Sequence, residues 1–401
     1  MKAYGNKNHL TNENRGEKNL SPARMIVLVC VAAVSFLLAK SFQMSTAISK
    51  NMYLSTFIDD SPHHDFTDGG MGTAAISSSP GHLSLAELTK NPPLGSLECP
   101  PMTSPVYDRV LEDQGTNKIP KIIHISFMSR CVPTEVFADG IQRWKDELPD
   151  YSIYFHDDNA VDRMLQQHWE EFPELHRIMK CMKYKGAMKV DLWRMLVIYE
   201  FGGIYTDIDN TPAPEFQNGT VINPDDTFFA PSDTWDRPCQ NLFAMEAKHP
   251  IADFAVQTIL RNVRDLQSLR NPKLVFVTGP QAFLEGYINY LKITDPKMGK
   301  PELKGLKPGI HKGFMNKKVH KAPRWNFGNP VGGEMVEYEG RNVTKKKRAS
   351  LIAGTVHWTV ELYHQHKTRQ GKHDYSCLEY LYRLDHPLGD DMNAANWSVA
   401  T

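Results

Sequence analysis

Lys185–Pro212 reads KGAMKVDLWRMLVIYEFGGIYTDIDNTP. From Ala187 to Glu200 apolar residues fall nearly all round the helical wheel, which predicts a buried helix, and Gly202-Gly203 supplies its C-terminal stop. Asp191 and Arg194 stand three residues apart in this apolar helix and so share one face. The bland reading is an ion pair that satisfies itself. Burying two charges is costly, however, so a pair placed here also points to a cavity or a ligand. Beyond the glycines, Ile204-Tyr205-Thr206 reads as a short strand running into Asp207-Ile208-Asp209. In an extended chain residues i and i+2 face one side, so both carboxylates are expected to converge past the strand end. Two hard oxygen ligands meeting there suit Mn²⁺ or Mg²⁺, and strand ends of open α/β sheets are where ligands bind.

Outward from this stretch, strands alternate with helices. KIIHISF (Lys121 to Phe127) is a buried-strand candidate, Glu135 to Leu148 an amphipathic helix and YSIYFH (Tyr151 to His156) another strand. That order predicts an α/β layer architecture with a partly parallel sheet. The chain has 401 residues, 41% apolar and 10% aromatic, enough for one large core or two ordinary ones. This excludes a wholly disordered, collagenous or coiled-coil protein. Its 46 basic and 46 acidic side chains cancel, which argues against nucleic acid as a partner. A mean hydropathy of -0.44 is too polar for a multi-span membrane protein.

The one long apolar run, Met25 to Ala39, has 15 residues and would span about 22 Å as a helix, so a membrane anchor must continue to about Met44, with Lys40 snorkelling. Residues 1–24 carry Lys2, Lys7, Arg15, Lys18 and Arg24 against Glu13 and Glu17, a net +3, which leaves -3 for the remainder. The positive-inside rule keeps this end in the cytosol and exports the rest. A cleaved signal peptide ending near Ser45 and Ala47 is the competing reading, for which 24 polar leading residues are long. The expected order is a cytosolic tail (1–24), an anchor (25–44), a flexible Ser/Pro/Gly/Thr-rich stem (45–116), a catalytic domain (117–385) and a C-terminal tail (386–401). Beyond the anchor lie Cys99, Cys131, Cys181, Cys239 and Cys377, an odd number with no zinc spacing, so at least one is unpaired or intermolecular if disulfides form. Sequons at Asn218, Asn342 and Asn396 agree with passage through the secretory pathway.

AMKVDLWR (Ala187 to Arg194) followed by YEFGGIYTDID (Tyr199 to Asp209) closely resembles the Asp-X-Asp sugar-binding region of glycosyltransferase family 32. IPKIIHISF, WKDELPDYSIYFHDDNA, NLFAMEAKHP and VTGPQAF extend the resemblance over about Ile119 to His364. It implies a GT-A type nucleotide-sugar-binding domain, with a mixed, mainly parallel sheet flanked by helices, behind a single N-terminal transmembrane helix. It further implies a metal-dependent retaining transferase that moves a hexose or hexosamine from a UDP- or GDP-sugar to a glycan, glycoprotein or glycolipid acceptor. Such enzymes sit in the Golgi membrane as single-pass type II proteins with a lumenal catalytic domain. Carried over, Asp191, Arg194 and Tyr205 would bind the donor sugar, Asp207 the donor and the metal, and Asp209 the metal bridging the diphosphate, Mn²⁺ or Mg²⁺. In AGTVHWTVELYHQHK, His357 would close over the metal beside Trp358, with His364 in reserve.

Two other functions fit parts of the sequence. Asp207-Ile-Asp-Asn-Thr211 also has the form of a haloacid-dehalogenase-like phosphatase motif, with Gly389-Asp390-Asp391 as its distal acidic partner. That reading leaves the Asp191/Arg194 helix unexplained. A non-catalytic, membrane-anchored sugar-binding protein is the other, against which the intact Asp207/Asp209 pair argues. His124 and His156 read as packing residues, Lys345 to Arg348 (KKKR) as a solvated loop, and the stretches around Trp235 and from Lys300 to Trp325 as acceptor-selecting loops.

Overall fold

The computed structural model describes residues 81–386 except 113–115, 183–185, 214–215, 217–220, 270–271, 295–305, 325–327, 331–334, 339 and 355–373. The apolar run Met25 to Ala39, the sequons at Asn218 and Asn396, and His357 and His364 lie outside the described residues. Among the described residues no helix is long and apolar enough to cross a membrane.

Seven strands form the central sheet: β1 (Ile122–Ser126), β2 (Ser152–His156), β3 (Gly203–Thr206), β4 (Phe228–Ser232), β5 (Leu242–Met245), β6 (Gly309–Lys312) and β7 (Lys318–Arg324). Their order is β2-β1-β3-β5-β4-β7-β6. The pairs β1/β2, β1/β3 and β4/β7 are parallel, whereas β3/β5, β4/β5 and β6/β7 are antiparallel, so the sheet is mixed.

Side chains alternate across this sheet with the two-residue period of an extended chain and feed two cores. Ile122, Tyr154, Tyr205, Phe228 and Phe243 enter one. Their neighbours Ile123, Phe155, Ile204, Phe229 and Ala244 enter the other. Helices close both faces: α2 (Asp139–Glu147) contributes Ile141 and Trp144 to the second core. On the first lie α3 (Asp158–Leu165), α4 (Leu175–Met182), α5 (Gly186–Phe201), α6 (Pro250–Arg264) and α7 (Pro280–Thr294). The expected amphipathic helix from Glu135 begins as a π-helical turn, Thr134–Ala138, before α2.

α5 is the central pillar, buried at every position from Asp191 to Phe201, which is why its sequence lacks a polar face. Gly202 (φ +64°) and Gly203 (φ +96°) then turn the chain straight into β3. A Cβ at Gly202 would come within 2.7 Å of the Ala247 nitrogen, and one at Gly203 within 2.7 Å of the Ile122 oxygen. Only glycine fits so tight a passage at positive φ.

The described part of the stretch expected as a stem is built onto this domain. α1 (Leu85–Thr89) is closed by a Ser84/Glu87 capping box and buries Leu85 and Leu88 in the first core. Arg130 then ties Asp108 (3.0 Å), the Thr89 carbonyl (3.1 Å) and the Phe155 carbonyl (2.8 Å) together. Disulfides join Cys99 to Cys131 and Cys181 to Cys377, leaving Cys239 as a buried free thiol. The second bridge fastens the closing helix α9 (Cys377–Asp385) to α4; before α9 in the chain comes α8 (Lys345–Ile352). The KKKR run is not a loop: it opens α8, with Thr344 as its N-cap. Asn342 is exposed on a hairpin strand, Arg341–Thr344, just before it.

Candidate active site

β3 delivers Asp207, Ile208 and Asp209 to the carboxyl edge of the sheet. The convergence expected from an extended pleat arises differently here. Asn210 N–H donates to the Asp207 carbonyl at 3.0 Å, so the three residues form a tight turn. Asp207 N–H donates to the Asn241 carbonyl (2.9 Å), and the Asn210 side-chain amide donates to the same oxygen (2.8 Å). The turn is thereby clamped to the start of β5, and both carboxylates line a cleft of about 620 Å³.

Arg194 is the hub of this cleft. Its Nη2 lies 3.2 Å from Asp191 Oδ1, and its Nη1 lies 3.3 Å from Asp207 Oδ1 and donates to the Gln240 carbonyl at 3.1 Å. The guanidinium also sits 4.5 Å from the centre of the Tyr205 ring. Burial opposes its charge, but Tyr205, Asp207, Asp191 and Asp209 outweigh burial and hold its pKa above the ordinary arginine value. Arg194 Nε is buried without a hydrogen-bond partner among the described residues. An orphan donor in a cleft is a place for a ligand oxygen.

The Asp191 pKa is raised as well, which for an acid favours the neutral form. Burial raises its carboxyl pKa, Arg194 and the Thr278 hydroxyl oppose that rise, and Asp207 adds to it. Thr278 Oγ1 donates to Asp191 Oδ2 at 2.8 Å, and Gln240 Nε2 donates to the Thr278 carbonyl at 3.1 Å. Tyr205 donates its hydroxyl to Asp207 Oδ1 at 2.6 Å. Burial, first, and then the adjacent Asp207 carboxylate keep that phenol far above its usual pKa, against the pull of Arg194, so it stays a donor. Asp191, Arg194, Tyr205, Asp207 and Asp209 therefore meet in one cleft. Thr278 and Gln240 complete the charge network, and no sequence motif marks either as a site residue. Thr278 does lie inside the VTGPQAF landmark, the one sequence feature that points toward it.

Asp207 and Asp209 present two carboxylates from one turn, a donor set suited to a divalent cation with further oxygens from a ligand. Among the described residues no group of three His, Cys, Asp or Glu side chains stands ready as a complete metal cage. His124 and His156 are not ligands: they bond each other (Nδ1 to Nε2, 3.2 Å) inside the core, and burial pushes His124 down to about 4 despite its contact with the Gly202 carbonyl. The loop holding Trp235 lines the cleft, whereas none of the described residues from 306 to 324 does.

Residues 134–229, which include α5, β3 and the acidic turn, match the family described as "Glycosyltransferase sugar-binding region containing DXD motif". Over 68 residues the chain is 35% identical to the initiation-specific alpha-1,6-mannosyltransferase of Candida albicans, covering 17% of each protein. Over 93 residues it is 30% identical to the mannosyl phosphorylinositol ceramide synthase CSH1 of Saccharomyces cerevisiae, covering 23% of each. The similarity thus spans less than a quarter of these relatives. Among solved structures, the PaToxG glycosyltransferase aligns at a TM-score of 0.34 and 19% identity, over 47% of this chain and 80% of that one. The family match falls on the segment that carries α5, β3 and the acidic turn.

Proposed function

We propose that this protein is a divalent-metal-dependent glycosyltransferase that moves a hexose or hexosamine from a UDP- or GDP-sugar to a glycan, glycoprotein or glycolipid acceptor, with retention at the anomeric carbon. The observation that carries the reading is Arg194 bridging Asp191 on a buried helix to Asp207 on the acidic turn, within a cleft that also holds Asp209. Asp191, kept in place by Thr278 and Arg194, accepts hydrogen bonds from donor-sugar hydroxyls. Arg194 offers its unused Nε–H to the same sugar and fixes Asp207 while Tyr205 donates to it. Asp207 and Asp209 would hold the cation, Mn²⁺ or Mg²⁺, which supplies neutralising charge to the diphosphate leaving group. With charge neutralised in this way, departure of the diphosphate needs no protein acid. His357 is proposed as a further ligand.

The apolar run from Met25, its +3 flank, the paired cysteines and the exposed sequon at Asn342 support a type II arrangement in the Golgi membrane with the catalytic domain in the lumen. The phosphatase reading gives the Asp191–Arg194–Thr278 network no task. Incubating the full chain in detergent with MnCl₂ and a panel of UDP- and GDP-sugars tests the proposal: one donor is expected to be hydrolysed or transferred, and Asp209→Ala to abolish that turnover. Release of phosphate from a phosphomonoester instead, with trapping of an aspartyl phosphate at Asp207, would contradict it.

A further inference from the structure

The cleft has a second built feature beside the acidic turn. In the sheet order, β1 lies on one side of β3 and the β4–β5 hairpin on the other, and that hairpin rises at the edge where Asp207 emerges. At its tip Trp235 lines the cleft yet remains 65% exposed. A large aromatic ring displayed to water in this way forgoes the burial it would gain in a core.

The surrounding residues hold it there. Asp233 Oδ1 accepts the backbone N–H groups of Trp235 (2.8 Å) and Arg237 (2.9 Å), while its Oδ2 accepts Arg237 Nε at 2.7 Å. The Arg237 guanidinium carbon stands 4.9 Å from the indole centre, backing one face of the ring. Asp236, at φ +62°, is pinned by the fully buried Lys321, whose ammonium donates to the Asp236 carbonyl (2.7 Å) and to the Leu306 carbonyl (2.6 Å). A buried lysine that holds these two backbone carbonyls and also pairs with the Asp236 carboxylate at 3.4 Å fixes the loop against the sheet. The ring is therefore presented on a rigid mount, with one face backed and the other open.

We infer that Trp235 is the acceptor platform: a pyranose ring of the acceptor stacks its apolar C–H face on the open side of the indole, placing a hydroxyl toward the acidic turn. The chemistry matches a saccharide. A pyranose has one apolar face and a polar rim, and Thr234 and Asn241, which line the same cleft, offer hydrogen-bond partners to that rim. The assignment of the stacked sugar as acceptor rests on the transferase reading above, because Asp191 and Arg194 already account for the donor sugar.

Saturation-transfer NMR on the full chain in detergent tests it, with methyl galactopyranosides, glucopyranosides and mannopyranosides and their β-linked disaccharides as probes. At least one probe is expected to receive saturation on its ring C–H protons, with Trp235→Phe keeping the signal and Trp235→Ala losing it at an undiminished melting temperature. No signal from any probe, or equal signals from wild type and Trp235→Ala, would overturn the inference. With the donor and acceptor found by turnover, Trp235→Ala is expected to raise the acceptor KM about tenfold or more and the donor KM by far less. A rise in donor KM alone would reassign the ring to the nucleotide sugar. Absence of any donor turnover in the wild type would instead remove the transferase reading, while saccharide binding at Trp235 would still be decided by the NMR.

Discussion

Arg194 on α5 meets Asp207 at the end of β3, Nη1 to Oδ1 at 3.3 Å, so one ion pair spans the break that Gly202 and Gly203 make between helix and strand. The same guanidinium holds Asp191, and removing it leaves the buried Asp191 carboxylate beside Asp207 with no cation between them.

Arg194→Ala is therefore expected to cost about 3–5 kcal/mol of stability as well as all donor turnover, because breaking a buried pair strands its partner charges. Urea denaturation of the full chain in detergent measures the first loss. Arg194→Lys keeps the charge but not the fork that reaches Asp191, Asp207 and the Gln240 carbonyl together, so it is expected to recover part of the stability and little turnover.

The bridge between Cys181 and Cys377 closes a loop with a sequence separation of 196 and pins α9 against α4. Cys377→Ser is expected to lower stability by about 3–5 kcal/mol. Burial pushes the Cys239 thiol up to about 12, so maleimide is expected to leave it unmodified in the native protein at pH 7 and to label it once the chain is unfolded. Rapid native labelling, read by mass spectrometry, would contradict that placement.

Asp253 on α6 gives a pH dependence with a definite sign. Burial, against the hydrogen bond from Gln257, pushes its carboxyl up to about 6 from 3.8. The unfolded chain then ionises first, so the native state loses stability as pH rises from about 4 to about 6, and the penalty levels off above that. Asp253→Asn keeps an acceptor for Gln257 Nε2, which sits 3.0 Å away, and removes the charge. It is expected to be more stable than wild type by about 3 kcal/mol at pH 7.5 but only about 1 kcal/mol at pH 4.5, measured by denaturant titration. An advantage independent of pH would show that Asp253 is not the titrating group.

What the sequence reveals and conceals here follows from range. Asp191 and Arg194 are legible because three residues along a helix fix a shared face, and Gly202-Gly203 because a helix stop is a local event. Thr278 is concealed because it reaches Asp191 across 87 residues, and no short window contains that contact. The Asp207–Asp209 geometry reads as a pleat because the turn depends on a carbonyl supplied by Asn241, on another strand. Leu85 and Leu88 read as part of a polar stem because a five-residue helix is too short to establish a period. The cysteine pairing needs the distances themselves.

The central claim is that the acidic turn binds a nucleotide sugar through a divalent cation. Calorimetric titration of UDP and GDP into the full chain in detergent, with MnCl₂ and then with EDTA, tests it most directly. One nucleotide is expected to bind only with manganese, and Asp209→Asn to weaken that binding about 100-fold or more, the loss of a charged ligand to the metal. Binding that is equally tight in EDTA, or unchanged in Asp209→Asn, would contradict the account.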